Sequence, residues 1–332
     1  MSRPLALALI LVATWLAVPA QAESLRERIQ SRLAERQAQS ADQNTDQSAD
    51  ERTETRDGLF AVVPAGVRVL RDVAYGNDAK QTMDVYLPSQ RLDTPNTPAP
   101  VVFMVHGGGW RRGDKQHGNV VTHKLARWAP KGIVFISVNY PMIPEADPLV
   151  QAGHVAKALA YAQHHAAEWG ADPARFILMG HSAGAHLVAL LTADPARATA
   201  QGAQPWLGTV ALDSAAMNVA TLMQARHLPL YDKAFGSDAD FWRHASPTLV
   251  LKPNARPLLA VCSSRRAEAC PQANRYVDAA QRLGVTAAAL PQDKSHSEIN
   301  DQLGLPGAYT DSVEQFMGGL DARVAAALKA AH

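Results

Sequence analysis

The sequence predicts an α/β fold, a mostly parallel central sheet with helices on both faces and a small helical excursion near one end of the sheet. Three observations predict it. Short apolar runs of strand length alternate with longer helix-patterned segments through most of the chain, the pattern of a parallel sheet covered on both sides. An opening pair of runs reads instead as an antiparallel hairpin. Two glycine-rich motifs each follow directly on a strand-like run, where an α/β sheet carries its chemistry. Taken in order, residues 67–75 and 82–87 are the hairpin strands, joined at Gly76-Asn77-Asp78. Residues 101–105 form a strand and 120–129 a helix. A strand at 132–138 leads into a long helix at 148–169. The strand 175–179 runs into a helix at 183–191. Strands at 207–212 and 257–262 follow, then a helix at 272–283, a last strand at 285–290 and a final helix at 310–328. Between the strands at 207–212 and 257–262, residues 215–254 are too many for a plain connection. They carry Met217, Met223, Tyr231, Phe235, Phe241 and Trp242 and read as the helical excursion.

The 332 residues are 47% hydrophobic, enough for one large domain with a sizeable core. Residues 1–22 have the layout of a secretory signal. Arg3 makes a positive start, an apolar stretch follows, and Ala20-Gln21-Ala22 fits a cleavage site. The apolar stretch is too short to predict a lasting membrane span. Residues 23–58 hold neither Gly nor Pro before Gly58 and read as a polar linker. Within it, Leu25, Ile29 and Leu33 recur every four residues, so 24–39 has the pattern of a short amphipathic helix. The main domain is then 59–332, and the expected location is the periplasm or the extracellular medium. Formal net charge is +1, and the chain without its first 22 residues carries 31 basic and 31 acidic groups. Such a balance predicts no nucleic-acid partner and favours a neutral small-molecule substrate. The two cysteines, Cys262 and Cys270, form a close pair that predicts a disulfide in an exported chain. No Cys or His cluster has zinc spacing, so no metal is expected.

The chemistry concentrates in Gly180-His181-Ser182-Ala183-Gly184. A Ser between two glycines, after a strand and before a helix, sits on a sharp turn that exposes its hydroxyl at the helix N-terminus. The second motif, His106-Gly107-Gly108-Gly109-Trp110, follows the strand at 101–105. Three successive glycines let backbone N–H groups approach a substrate oxygen. The expected oxyanion donors are Gly107, Gly108 and Ala183. Trp110 and Tyr140 both follow sheet strands and are the expected substrate-binding aromatics. Residues 139–145 are positioned to brace the glycine loop.

A Ser hydroxyl needs a base. On such a sheet the partners follow in the order Ser, acid, His, with the His after the last strand. His296 meets that requirement, while His181 is expected to point away from Ser182 and His186 to pack in the helix. For the acid, the loop after the strand at 257–262 offers one carboxylate, Glu268, which the Cys262–Cys270 bridge would aim at His296. The competing acid is Asp213, at the end of the preceding strand. The sequence reading favours Glu268 and keeps Asp213 as the alternative.

The two glycine motifs, Asn139-Tyr140-Pro141, Ser295-His296 and the opening Met83-Asp84-Val85-Tyr86-Leu87-Pro88 together resemble the α/β-hydrolase fold. The likeness is to its esterase/lipase branch that includes hormone-sensitive lipase, and within it to bacterial feruloyl- and acetyl-xylan-esterase-like carboxylesterases. It runs from about residue 67 to the C-terminus. The resemblance implies a serine hydrolase that cleaves short-chain or aryl carboxylic esters without cofactor. An amidase of the kynurenine-formamidase type shares those motifs and remains the alternative, with a non-catalytic binding relative behind it. On this reading the excursion at 215–254 roofs the site and lines an acyl or aryl pocket.

Overall fold

A computed structural model of the chain describes residues 28–30, 60–88 and 97–330. Two compact units divide the chain, Met1–Asp46 and Gln47–His332. Of the first, residues 28–30 alone are described; they are helical and exposed. The expected signal and the rest of the linker lie outside the described residues. Among the described residues no helix is long and apolar enough to cross a membrane.

The second unit is built on one eight-stranded sheet: β1 (Arg68–Ala74), β2 (Thr82–Leu87), β3 (Ala99–Val105), β4 (Val134–Val138), β5 (Ala171–His181), β6 (Gly208–Leu212), β7 (Leu258–Ser263) and β8 (Ala287–Gln292). Their spatial order is β1-β2-β4-β3-β5-β6-β7-β8. The hairpin strands are antiparallel, β2 pairs antiparallel with β4, and every other pairing is parallel. The chain winds from β3 outward to β4, then crosses back to β5 and winds the other way. The order therefore reverses between β3 and β5, where open α/β sheets bind ligands beyond the carboxyl ends of their strands. Both glycine motifs leave the sheet there.

Central strands are buried on both faces, and alternation along β3 shows how the two layers form. Val101, Phe103 and Val105 pack into one apolar cluster; Val102 and Met104 pack into another. The first layer is covered by α1 (Pro148–His165) and α2 (Ala183–Ala193), every residue of which is buried. The opposite layer is covered by helices Gly118–Trp128, Ala308–Leu320 and Ala322–Lys329. Helix Ala269–Arg282 closes a third cluster against β7.

Where the structure departs from the expected elements, side chains give the reason. The helix expected over 310–328 is two helices broken at Asp321. Its backbone there is extended, and its carboxylate accepts from the N–H groups of Arg323 and Val324, ending one helix and capping the next. The long helix at 148–169 tightens to a 3₁₀ turn at Ala166–Trp169 and stops at Gly170, whose φ is +69°. The excursion is four short helices, Val219–Gln224, Pro229–Phe235, Ala239–His244 and Pro247–Val250.

Candidate active site

Ser182 sits between β5 and α2 with φ +54° and ψ −115°, a backbone conformation that a non-glycine residue holds only under constraint. The constraint is visible on both sides. Its N–H donates to the carbonyl of Leu212 at 2.9 Å, and its carbonyl accepts from His186. The flanking glycines are needed for space, since neither has a positive φ. A Cβ on Gly180 would lie 2.4 Å from the Gly184 carbonyl oxygen, and one on Gly184 would lie 2.2 Å from that of Val105. Gly107 is confined less severely: a Cβ there would meet the His181 carbonyl at 2.9 Å and Ser182 Cβ at 3.0 Å. The glycine loop and the serine turn are thus in backbone contact.

Ser182 opens on a cavity of about 170 Å³ that His296 and Asp213 also line. Gly108, Gly109 and Trp110 form one wall of it. Gly107, an expected oxyanion donor, does not line this cavity but a separate one. Its place in the wall is taken by Gly109, which the sequence reading passed over. Gly108 (φ +111°), Gly109 (φ +59°) and Trp110 (φ +60°) turn the chain in a left-handed sense, and the N–H groups of Arg111 and Arg112 close that turn on the Gly108 carbonyl. Ala183, like Gly107, is not part of the cavity's lining, but as the first residue of α2 its N–H has no acceptor within the helix and lies beside the serine.

His296 begins the short helix His296–Asp301, held by a reciprocal cap between Ser295 and Glu298. Its Nδ1 lies 2.6 Å from Asp213 Oδ2. That contact fixes the tautomer with the proton on Nδ1 and leaves Nε2 to accept from a hydroxyl. Glu268 is therefore not the partner of His296. It lies exposed just before helix Ala269–Arg282, and its main-chain carbonyl caps Gln272. The disulfide between Cys262 and Cys270 is present, but the loop it closes presents Arg266 rather than Glu268 to the histidine. Arg266 Nη1 lies 2.6 Å from Asp213 Oδ2, 3.2 Å from the Asp213 carbonyl oxygen and 3.0 Å from His296 Nδ1. The last distance is the spacing of two donors that share one carboxylate oxygen. The sequence reading weighed only carboxylates in this loop and so missed the guanidinium.

Asp213 has no exposed surface, and burial alone would push its pKa up. The charge of Arg266, the bond from His296 and the N–H of Ser263, 2.8 Å from Oδ1, outweigh burial and hold it well below the ordinary carboxylate range. These contacts favour its ionised form at neutral pH. The loop carrying Arg266 is also laced to the loop carrying His296. Ser263 Oγ donates to the Lys294 carbonyl, and Arg265 pairs with Asp293.

Several neighbours serve the site without entering it. His181 does not line the cavity, but its ring packs at a tilt of 38° against that of His296 with centroids 4.4 Å apart, its Nε2 3.0 Å from the His296 carbonyl oxygen. Burial, and then the nearby His296, hold its pKa well below the usual histidine range, so it packs as a neutral ring. Tyr140, expected to touch substrate, is fully buried. Its hydroxyl donates to the His106 carbonyl and its ring stacks on His106, so it supports the glycine loop from behind. Asn139 joins this brace through Lys115 N and Asp114. Trp110 lines the cavity, and its Nε1 donates to His186 Nδ1 at 3.3 Å. Of the excursion's large side chains, Tyr231 reaches the cavity, beside Leu230, Ala215 and Ala216. Phe235, Met217 and Met223 pack into the core instead. No group of three or more His, Cys, Asp or Glu side chains that could hold a metal occurs among the described residues.

A model of the BD-FAE family matches residues 83–265. The chain is 30% identical over 209 residues to "Esterase LipC" of Mycobacterium tuberculosis, covering 59% of this chain and 50% of that one. It is 31% identical to a probable isoprenylcysteine alpha-carbonyl methylesterase of Oryza sativa subsp. japonica, covering 41% of this chain and 31% of the relative. The chain thus spans about a third to a half of the length of these relatives. Among solved structures, esterase B of Lactobacillus rhamnosis superposes with a TM-score of 0.63 at 20% identity, over 93% of this chain and 97% of that one, a likeness of fold.

Two outcomes follow from the Asp213 cluster. Asp213→Asn is expected to cut turnover of a chromogenic ester by about 10⁴-fold, through loss of the correct tautomer, while Glu268→Gln leaves it within about twofold. Steady-state kinetics of the two folded variants measures this, and the reverse ranking would restore Glu268. Arg266→Met strips a buried carboxylate of its cation and is expected to cost about 3 kcal/mol at neutral pH. Because the folded pKa of Asp213 lies below its unfolded value, this stabilisation is present above pH ~4 and is lost as pH falls further. Denaturant unfolding of both proteins should show their gap shrinking below pH ~4; a pH-independent gap would contradict the electrostatic account.

Proposed function

The chain belongs to the BD-FAE family, and from that membership and the cavity's geometry we propose that it is a serine hydrolase of short-chain or aryl carboxylic esters, acting through an acyl-enzyme on Ser182. The observation that carries the reading is a constrained serine and a histidine with its acid-fixed tautomer lining one small cavity beside a glycine loop. In the first half-reaction, Ser182 Oγ attacks the ester carbonyl as His296 Nε2 takes its proton. The charge that develops on the carbonyl oxygen is held by backbone N–H groups of the Gly108-Gly109 wall and of Ala183, each worth about 3 kcal/mol. His296 then protonates the departing alcohol. Water repeats the sequence on the acyl-enzyme, releasing the acid and regenerating Ser182. Asp213 stays ionised throughout and stabilises the imidazolium. A cavity of about 170 Å³ walled by Trp110, Leu230 and Tyr231 suits a short acyl chain or one ring rather than a fatty acyl tail.

A p-nitrophenyl ester series from acetate to palmitate tests the reading. Turnover is expected to peak at acyl chains of about two to six carbons and to vanish in Ser182→Ala. A folded protein that cleaves no ester, or one that keeps its activity without Ser182, would overturn it, and a formamide substrate would then be the next to try.

Export belongs to the same proposal. The cleavage-site pattern ending at Ala22 supports it, as does a disulfide in the loop that carries Arg266. N-terminal sequencing of protein from the exported fraction of an expressing bacterium should begin at Glu23. Full-length chain confined to the cytoplasm, with reduced cysteines, would contradict it.

A further inference from the structure

Four aromatic rings from three parts of the chain meet beside the serine. Trp110 ends the glycine motif, His186 lies near the start of α2, and Tyr231 and Phe235 belong to helix Pro229–Phe235 of the excursion. All four are buried. Trp110 and Tyr231 line the Ser182 cavity, with ring centroids 6.0 Å apart. Phe235 and His186 do not line it. Their rings pack edge-on with the indole instead, at centroid distances of 4.9 and 5.5 Å. The indole is thus the layer between the open cavity and a closely packed pair of rings.

His186 holds that layer through both of its ring nitrogens. Its Nε2 lies 2.7 Å from the carbonyl oxygen of Ala245, which joins two helices of the excursion. A carbonyl only accepts, so the proton is on Nε2 and Nδ1 keeps a lone pair. That lone pair takes the indole N–H of Trp110 at 3.3 Å. Burial pushes the His186 pKa down to about 4, so at neutral pH the ring keeps one donor and one acceptor. Its main-chain N–H bonds the Ser182 carbonyl at 3.1 Å, which ties the same residue to the serine turn. The Trp110 main chain has anchors of its own. Its carbonyl accepts from Gln151 Nε2 at 2.8 Å and from the Ile143 N–H at 2.9 Å. The bond to His186 therefore bears on where the indole lies rather than on where the glycine loop runs.

We propose that the Trp110 indole ends the acyl pocket and that His186 is its positioning residue, fixing the pocket's depth and so the longest acyl chain that is cleaved well. This rests on the ester-hydrolase reading and adds to it the residue pair that sets chain-length preference. Without its acceptor, a buried indole N–H is left unpaired, which favours rotation of the ring out of the wall.

The test is the ratio of kcat/KM for p-nitrophenyl octanoate to that for p-nitrophenyl butyrate. That ratio does not depend on how much of a variant is folded, so lost stability alone leaves it where it was. In Trp110→Ala it is expected to rise by about tenfold or more, the scale on which a pocket excludes a single methylene. His186→Leu removes the acceptor, and Trp110→Phe removes the N–H while leaving His186 in place. Both are expected to raise the ratio by a smaller factor. His186→Gln keeps an acceptor for the indole and a donor for Ala245, and is expected to restore the wild-type ratio. A ratio unchanged in Trp110→Ala overturns the proposal. So does one unchanged in Trp110→Phe or His186→Leu, or one altered as much in His186→Gln as in His186→Leu. Where butyrate is still cleaved in a Ser182-dependent way, that failure leaves the hydrolase reading standing. Absence of Ser182-dependent turnover of both esters by the wild-type protein removes both.

Discussion

Backbone-to-backbone contact between the end of β3 and the start of α2 governs this molecule. Gly184 passes so close to the carbonyls of Val105 and His106 that a methyl group would overlap both. Gly180 has the same relation to the carbonyl of Gly184, and Gly107 to that of His181. These contacts press two loops from neighbouring strands into one unit at the point where the strand order reverses. The unit sets the serine's unusual backbone angles and the left-handed turn of the glycine loop together. Tyr140, Asn139 and the ring of His106 then hold that unit from behind. Overpacking a well-filled interior costs about 1–3 kcal/mol even where side chains can shift. Here the neighbours are carbonyl oxygens of a sheet strand and a helix, which cannot.

A second cluster sits on the other side of the serine, and it is electrostatic rather than steric. Asp213, His296 and Arg266 meet around one carboxylate oxygen, each delivered by a different strand end. Burying a carboxylate is unfavourable unless it is paired and hydrogen-bonded, and Asp213 is both. Its N–H bonds the Val261 carbonyl and its Oδ1 accepts from Ser263, so neighbouring strand ends fix its direction. The disulfide staples the loop that brings the guanidinium. A link that sequence reasoning assigned to aiming Glu268 instead secures the cation that keeps Asp213 ionised.

Much of this was legible in the sequence because it depends on local pattern. Strand and helix periodicity placed all eight strands, and the two glycine motifs placed Ser182 and the cavity wall. His296 followed from chain order. What was illegible depends on three-dimensional direction. Glu268 and Arg266 are two residues apart in one loop, and only the turn between Ser263 and Ala269 decides which faces the histidine. Tyr140 follows a strand near the site, as a substrate-binding residue would, yet its ring points into the core. Gly107 is packed against the serine turn, whereas Gly109 has open space around it and lines the cavity, a difference that adjacent glycines in a sequence do not reveal.

The central claim is that Ser182 is a nucleophile activated through His296 and Asp213. The most direct measurement is intact-mass and peptide mass spectrometry of the protein treated with a fluorophosphonate. The account predicts one phosphonyl group per chain, on the peptide containing Ser182, formed far more slowly in Asp213→Asn. A folded protein that stays unlabelled, or that carries the adduct on another residue, would contradict it.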